Sequence, residues 1–382
     1  MSLVVFGGSF DPPHRGHLSL LRAGLRAVKG SRALVVPAFR SPHKSGAKAS
    51  ARDRLALLRT ALAGLPPRVR KRVSIDPFEL DQKRPTYTYK TLRHLREKHP
   101  EEQLWLLLGS DAAAAVHSWK RPKDIAASCR LLIGRRPRAE LAERFLDDGR
   151  SRVLPGVFPK ISSSKIRLRL LLDKPVSGLL PGAVLTVLRR RGLYGSGIRA
   201  RLAAELRPGR FAHTIAVARH AADLAKRHGL DAEQAALAGL LHDCGRAVPT
   251  ERMAEYAGRH RLAVPSLRET AARQPILLHA HISEQRARSV YGISDSAVLS
   301  AIRKHTLGDR TMTPLDRLVY AADASSADRS YPGVGRIRAA ARRDLDEGFA
   351  QAVRRKLAGI IERGGWLHPA MAAVWGSAIE HL

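Results

Sequence analysis

Apolar residues follow two regimes along the chain. Up to about residue 195, short apolar runs alternate with longer stretches of helical periodicity. Residues 3–6 predict a short buried strand, followed by a glycine-rich turn and a helical pattern over 16–28. Residues 33–37 predict a second buried strand, which Pro37 ends. The alternation continues with a helix over 52–63, a strand at 73–75, a helix over 86–99 and strands at 104–108 and 131–133. A last helix over 185–191 has Gly192 placed to stop it. This order predicts an α/β domain with a parallel sheet, Rossmann-like in class. Beyond residue 197 the pattern is helical only, with clear segments at 216–228, 232–242, 284–291, 297–305, 315–324 and 346–363. The boundary therefore falls near residue 196, giving an α/β domain over 1–195 and an all-α domain over 196–382.

Composition agrees with two cores, because 382 residues exceed one ordinary domain. No run reaches the roughly 18 apolar residues that a membrane helix needs, and the N-terminal stretch lacks a signal peptide's long apolar centre. Two cysteines, Cys129 and Cys244, imply no disulfide framework and point to the cytoplasm. The net charge of +33 comes from 15 Lys and 52 Arg spread along the whole chain. Without a long basic block or a platform of aromatic and basic residues, the charge reads as solvated faces of an arginine-rich protein. It draws in polyanionic nucleotides, and nucleic acid is not the expected partner.

Candidate chemistry begins at the first strand. Gly7 and Gly8 follow it, so phosphates can approach the backbone. His14 and His17 are three apart; where the turn runs into a helix, both imidazoles share one face. At a helix N-terminus they would donate hydrogen bonds to charge that grows on an α-phosphate. Such a site needs no protein nucleophile, since a substrate phosphate attacks ATP directly.

The surrounding motif, Gly7-Gly-Ser-Phe-Asp-Pro-Pro-His-Arg-Gly-His17, resembles the opening of bacterial nicotinate-nucleotide adenylyltransferases. Further motifs resemble the same family in order: Ser41-Pro-His-Lys44, Thr86-Tyr-Thr-Tyr-Lys-Thr-Leu92, Leu108-Gly-Ser-Asp111 with Trp119-Lys-Arg121, Ile161-Ser-Ser-Ser-Lys-Ile-Arg167, and Leu180-Pro-Gly-Ala-Val184 through Gly192-Leu-Tyr194. The resemblance implies that ATP and nicotinate mononucleotide, with Mg2+, give the dinucleotide and pyrophosphate. It puts His14, His17, Gly7, Gly8, Ser9 and Phe10 at the ATP phosphates, and Ser162, Ser163 and Arg167 at the triphosphate beside a second helix start. It further implies that Thr88, Gly109 and Asp111 line the nucleotide site, that Trp119 stacks on the pyridine ring, and that His43 and Lys44 belong to the substrate loop. Lys90 stands where the family usually has Asp.

In the helical half, a His-Asp pair alone says little in a chain with 16 histidines. His213, His242, Asp243 and Asp323 together, each on a helical segment, suit a first-row divalent metal that polarises a phosphoryl oxygen and acidifies water. Arg210-Phe-Ala-His-Thr214, Leu241-His-Asp-Cys-Gly-Arg246, His279, Lys304-His-Thr306, Tyr320-Ala-Ala-Asp323 and Asp328-Arg-Ser-Tyr-Pro-Gly-Val334 resemble the HD-domain symmetrical diadenosine tetraphosphate hydrolases. The resemblance implies cleavage to two ADP, with His213, His242, Asp243 and Asp323 as ligands of iron. Asp243 would also serve the chemistry. By the same resemblance His279 and His305 lie near the phosphates or a second metal, and Arg210 and Arg329 bind phosphate. Arg246 replaces the family's usual lysine, and Cys244 stands where an aromatic is common, as a buried small residue. An alternative makes this half a nucleotide-sensing or interaction module without turnover, although a sensor need not keep every ligand.

Overall fold

Strand β1 (Ser2–Gly8) alternates between two apolar layers. Val4 and Phe6 pack with Leu20 and Leu21 on one side. Leu3 and Val5 pack with Leu92 and Leu95 on the other. A strand buried on both faces reads as a continuous apolar run, which is why it stands out in the sequence. The computed structural model describes residues 1–39, 49–136 and 151–379. Their contacts divide into one unit of Met1–Leu170 with Pro175–Tyr194 and another of Leu171–Lys174 with Gly195–Leu382.

In the front unit, β2 (Arg32–Pro37), β3 (Val73–Ile75), β4 (Gln103–Gly109), β5 (Arg130–Gly134) and β6 (Ser151–Leu154) join β1 in the order β3-β2-β1-β4-β5-β6. Every pairing is parallel. The helices α1 (Arg15–Ala27), α2 (Ala51–Ala63) and α3 (Thr88–Lys98) lie between strands in the sequence, as parallel crossovers require. The strand β6 was not expected. It is an edge strand of which only Leu154 is fully buried, so it shows no apolar run. The helices α4 (Ser163–Leu171) and α5 (Gly182–Arg190) bring Ile166, Leu170, Val184 and Leu188 against Leu57 and Ala61 of α2. Gly192 follows α5 at φ 63°, a conformation that costs glycine little.

The strand order reverses between β1 and β4. Connections leaving these two strands run to opposite sides, and the crevice left at their C-terminal ends is where open α/β sheets bind ligands. Gly8 ends β1 and Gly109 ends β4.

The described residues of the rear unit contain helices and no strand. Those that build its site are α6 (Pro208–Arg227), α7 (Ala232–Leu241), α8 (His279–Ser289), α9 (Ser296–Lys304), α10 (Pro314–Ser325) and α11 (Leu345–Glu362). The Asp231 side chain accepts from the backbone N–H groups of Glu233 and Gln234 and starts α7. Two glycines set how closely the elements pack. A Cβ on Gly239 would lie 2.9 Å from the Ala218 Cα, so α6 and α7 touch backbone to backbone. A Cβ on Gly245 would lie 2.7 Å from the Ser283 backbone nitrogen and nearer still to the His279 carbonyl oxygen. The turn after His242-Asp243 therefore lies flush on α8. No helix among the described residues is long and apolar enough to cross a membrane.

Candidate active sites

In the front unit, the turn after β1 crosses the switch point and enters α1. Gly7 has open space where a side chain would stand, as phosphate approach requires. Gly8 has a second reason to lack a side chain: a Cβ there would meet the Phe10 ring at 3.1 Å. Phe10 adopts φ 47° and packs edge-on to His17, with ring centroids 5.0 Å apart.

His14 is the N-cap of α1 and His17 its third residue. The two cap each other: the His17 backbone N–H donates to His14 Nδ1 at 3.3 Å, and the His14 backbone N–H donates to His17 Nδ1 at 3.2 Å. The rings stack at 3.6 Å. Because each Nδ1 accepts a hydrogen bond, the network assigns the ring proton to Nε2 in both. Burial pushes the His14 pKa down to about 4, and the Arg136 charge adds to the shift. The site thus presents neutral imidazoles with Nε2–H donors at a helix N-terminus.

Four further side chains hold this turn. Arg54 is buried, and its guanidinium donates to the carbonyls of Ser9, Ala38 and Phe39 at 2.7, 2.7 and 2.9 Å. Asp11 accepts from Tyr194 Oη at 2.7 Å and from the Ala49 backbone N–H at 3.2 Å. Arg167 donates to the Asp11 carbonyl at 2.7 Å, and Ser163 Oγ to the Pro12 carbonyl at 2.9 Å. The start of α4, with Ser162, Ser163 and Arg167, is thereby brought to the histidine turn. Gly109 and Asp111 sit across the crevice at the end of β4, where Arg136 Nη1 reaches Asp111 Oδ2 at 2.6 Å. Thr88 opens α3, and Trp119, like Tyr89 of α3, packs part-buried against the apolar cluster around Leu3 and Val5. His43 and Lys44 lie outside the described residues. Reading the sequence missed Asp11, Arg54 and Arg136. A buried arginine on a helix carries no signal that separates it from a solvated one.

In the rear unit, three histidines end or begin helices and orient themselves alike. Nδ1 of His242, His279 and His305 donates to the carbonyl three residues earlier, of Gly239, Ile276 and Ile302, at 2.7, 2.6 and 2.7 Å. With the proton fixed on Nδ1, each Nε2 is a bare lone pair directed inward. His279 Nε2 lies 3.1 Å from His305 Nε2. The single Thr306 hydroxyl, at 3.0 and 2.8 Å, has one proton to offer the two. His242 Nε2 is buried with no hydrogen-bond partner. Orphaned buried acceptors cost about 1–3 kcal/mol each, so this donor set is built for a Lewis acid.

Carboxylates complete it. Asp243 Oδ1 lies 3.2 Å from His279 Nε2 and 3.8 Å from His305 Nε2. Asp323 Oδ1 lies 3.0 Å from His213 Nε2 and 3.8 Å from His242 Nε2. His213 turns its other nitrogen to Asp328 Oδ2 at 2.7 Å. That second carboxylate was not singled out in the sequence, and its place beside Arg329 in the motif was the available signal. Ligand atoms of His213, His242 and Asp243, of His242, His305 and Asp323, and of Asp243, His279 and His305 form three groups, each within 4.8 Å. Burial alone would raise Asp323, but the hydrogen bond with His213 and the Arg329 guanidinium hold it well below the usual range. Burial pushes His242 down to about 4. Arg210 and Arg246 reach Asp243 at 2.9 and 3.4 Å, and Arg329 reaches Asp323 at 2.6 Å. All the predicted residues of this half therefore meet in one cluster.

A family model described as cytidylyltransferase-like matches residues 5–169, and one described as an HD domain matches residues 210–328. A Chlorobium limicola protein named "Probable nicotinate-nucleotide adenylyltransferase" is 34% identical over 200 residues, 51% of this chain and 98% of its own length. A Mycoplasma genitalium protein named "Probable nicotinate-nucleotide adenylyltransferase/Ap4A hydrolase" is 26% identical over 327 residues, 86% of this chain and 88% of its own. Among solved structures, a "predicted HD superfamily hydrolase involved in NAD metabolism" from Clostridium acetobutylicum matches with TM-score 0.46 and 30% identity, covering 49% of this chain and 97% of that one.

Proposed function

The chain belongs to the nicotinate-nucleotide adenylyltransferase family through its front half and carries an HD domain behind it, and on that premise we propose a bifunctional enzyme. Residues 1–195 join ATP and nicotinate mononucleotide, and residues 196–382 cleave diadenosine tetraphosphate symmetrically to two ADP.

In the front reaction, a phosphate oxygen of the mononucleotide attacks the α-phosphorus of ATP. The bond from that phosphorus to the bridging oxygen breaks, and pyrophosphate leaves. The observation that carries this reading is the reciprocal imidazole cap at the switch point. It supplies two fixed Nε2–H donors to the charge that grows on phosphate oxygens. Donors that are already oriented need no reorganisation during reaction, and removing one costs roughly 10²–10³ in kcat. Ser162, Ser163 and Arg167 hold the triphosphate, with Mg2+ arriving as part of the ATP substrate. Gly109, Asp111, Thr88 and Trp119 take the remaining nucleotide parts.

In the rear reaction, water adds to one central phosphorus of the tetraphosphate, the bridging P–O bond breaks, and both halves depart as ADP. The carrying observation is the inward Nε2 lone pairs of His242, His279 and His305 beside Asp243 and Asp323. His213, His242, Asp243 and Asp323 would hold an iron ion. When bound, the metal supplies Lewis acidity toward a phosphoryl oxygen and lowers the pKa of water. Arg210 and Arg329 bind phosphate. His279 and His305 face Asp243, and these three residues would hold a second ion in preference to a purely phosphate-binding role for the histidines.

The test is a product assay on two variants. His17→Ala should lose dinucleotide synthesis and keep tetraphosphate cleavage, and His242→Ala should do the reverse. Full cleavage by His242→Ala would overturn the metal assignment. Elemental analysis of the wild-type protein should find two ions per chain, and one ion would return His279 and His305 to phosphate binding.

A further inference from the structure

Among the described residues, the cations at the rear cluster fall into two kinds. Arg210 and Arg246 are paired with Asp243, and Arg329 with Asp323. Lys356 is held differently. It projects from α11, partly buried. Its Nζ donates to the Thr306 carbonyl at 2.8 Å and lies 4.1 Å from the centre of the Tyr320 ring. Both supports adjoin the cluster. Thr306 follows His305, and its hydroxyl contacts Nε2 of both His279 and His305. Tyr320 stands three residues before Asp323 on α10, so the two share a helix face.

The energetics separate Lys356 from the arginines. An arginine that turns from a carboxylate to a phosphate exchanges one anion for another and gains little. An ammonium that turns from a neutral carbonyl to a phosphate exchanges a neutral acceptor for a charged one, and charge-assisted hydrogen bonds are roughly twice as strong. Burial without a carboxylate partner is costly for an ammonium. It pushes the Lys356 pKa down to about 8, against the pull of Asp323. The positions also differ. The arginines are anchored at Asp243 and Asp323, whereas Lys356 is anchored at the Thr306 carbonyl and the Tyr320 ring. A chain of phosphates can engage an arginine and Lys356 through different phosphoryl groups.

We propose that Lys356 binds a non-bridging phosphate oxygen of the ligand in the rear site and sets its preference for a polyphosphate chain over a single phosphate. This rests on the reading of that site as a metal-dependent phosphohydrolase. The full-length protein is compared with Lys356→Met and Lys356→Arg in steady-state cleavage of diadenosine tetraphosphate, with metal content measured on each. Equilibrium binding of tripolyphosphate and of inorganic phosphate is measured on the same proteins. Lys356→Met should raise KM roughly 10- to 100-fold with kcat little changed and metal content intact. It should weaken tripolyphosphate more than inorganic phosphate, and Lys356→Arg should restore part of both. An unchanged KM would overturn the assignment. So would a fall in kcat that tracks lost metal, since that marks a structural role. If the wild type cleaves no diadenosine tetraphosphate, the hydrolase reading fails by itself. The tripolyphosphate comparison then still decides Lys356: selective weakening in Lys356→Met supports the proposal, and equal binding overturns it.

Discussion

Replacing Gly245 by alanine adds one methyl group where the turn after His242-Asp243 lies against α8. The new Cβ would stand 2.7 Å from the Ser283 backbone nitrogen and closer to the His279 carbonyl oxygen. Both are main-chain atoms of a helix, so neither yields alone, and the turn or the helix must move. Overpacking of this kind costs about 1–3 kcal/mol. The shift also stretches the hydrogen bond from the Gly245 N–H to Ser283 Oγ, 2.8 Å long and buried, which adds roughly 1 kcal/mol. For a unit of this size each kcal/mol moves Tm by about 2–4 °C, so the rear unit should melt roughly 10 °C lower. Asp243 moves with the turn and loses its 3.2 Å approach to His279 Nε2. Scanning calorimetry, elemental analysis and tetraphosphate cleavage should therefore all report the change, while dinucleotide synthesis stays at the wild-type rate. A rear transition within a degree or two of wild type, with full metal content, would refute the reasoning.

Asp328→Asn weakens the carboxylate that orients His213; metal affinity should fall roughly 10- to 100-fold, read by chelator competition, and an unchanged affinity would show that Asp328 does not tune the ligand. Arg54→Met strands the carbonyls of Ser9, Ala38 and Phe39; it should cost the front unit about 3 kcal/mol or more in urea unfolding and slow dinucleotide synthesis, and a neutral result would mean that water replaces the guanidinium. Burial pushes His14 and His220 down to about 4, so between about pH 6.5 and 4 each binds more protons unfolded than folded. Stability should rise with pH across that window and be lost as pH falls, by up to roughly 3 kcal/mol for His14; a flat urea midpoint from pH 7 to 4.5 would contradict this.

The strands around the front site were legible because burial on both faces leaves unbroken apolar runs, as in residues 104–108. The strand β6 lay beyond that signal because an edge strand keeps polar residues such as Ser151 and Arg152. The two histidines at the switch point were legible as a motif, yet their mutual capping was not, since imidazole is an unusual N-cap and nothing in the spacing assigns the proton. In the rear half, His213, His242, Asp243 and Asp323 could be named from the chain. The convergence of His279 and His305 on Asp243 depends on how α7, α8 and α9 pack, and so on close approaches at Gly239 and Gly245 that appear only in three dimensions. Lys356 reaches the cluster from α11 and Asp328 from the turn after α10, placements that spacing along the chain does not reveal.

The grip of His242, His279 and His305 on their own helix carbonyls has a consequence for metal supply. Each ring takes its orientation from the backbone of its own helix end, so the cage is assembled before an ion arrives. Uptake then depends on access and ionic supply, and one ion can be exchanged for another without rebuilding the protein. A preassembled nitrogen and oxygen cage selects among divalent ions by its geometry and donor set as well as by their intrinsic affinities. Maturation of the rear half is therefore a question of metal delivery, separate from folding.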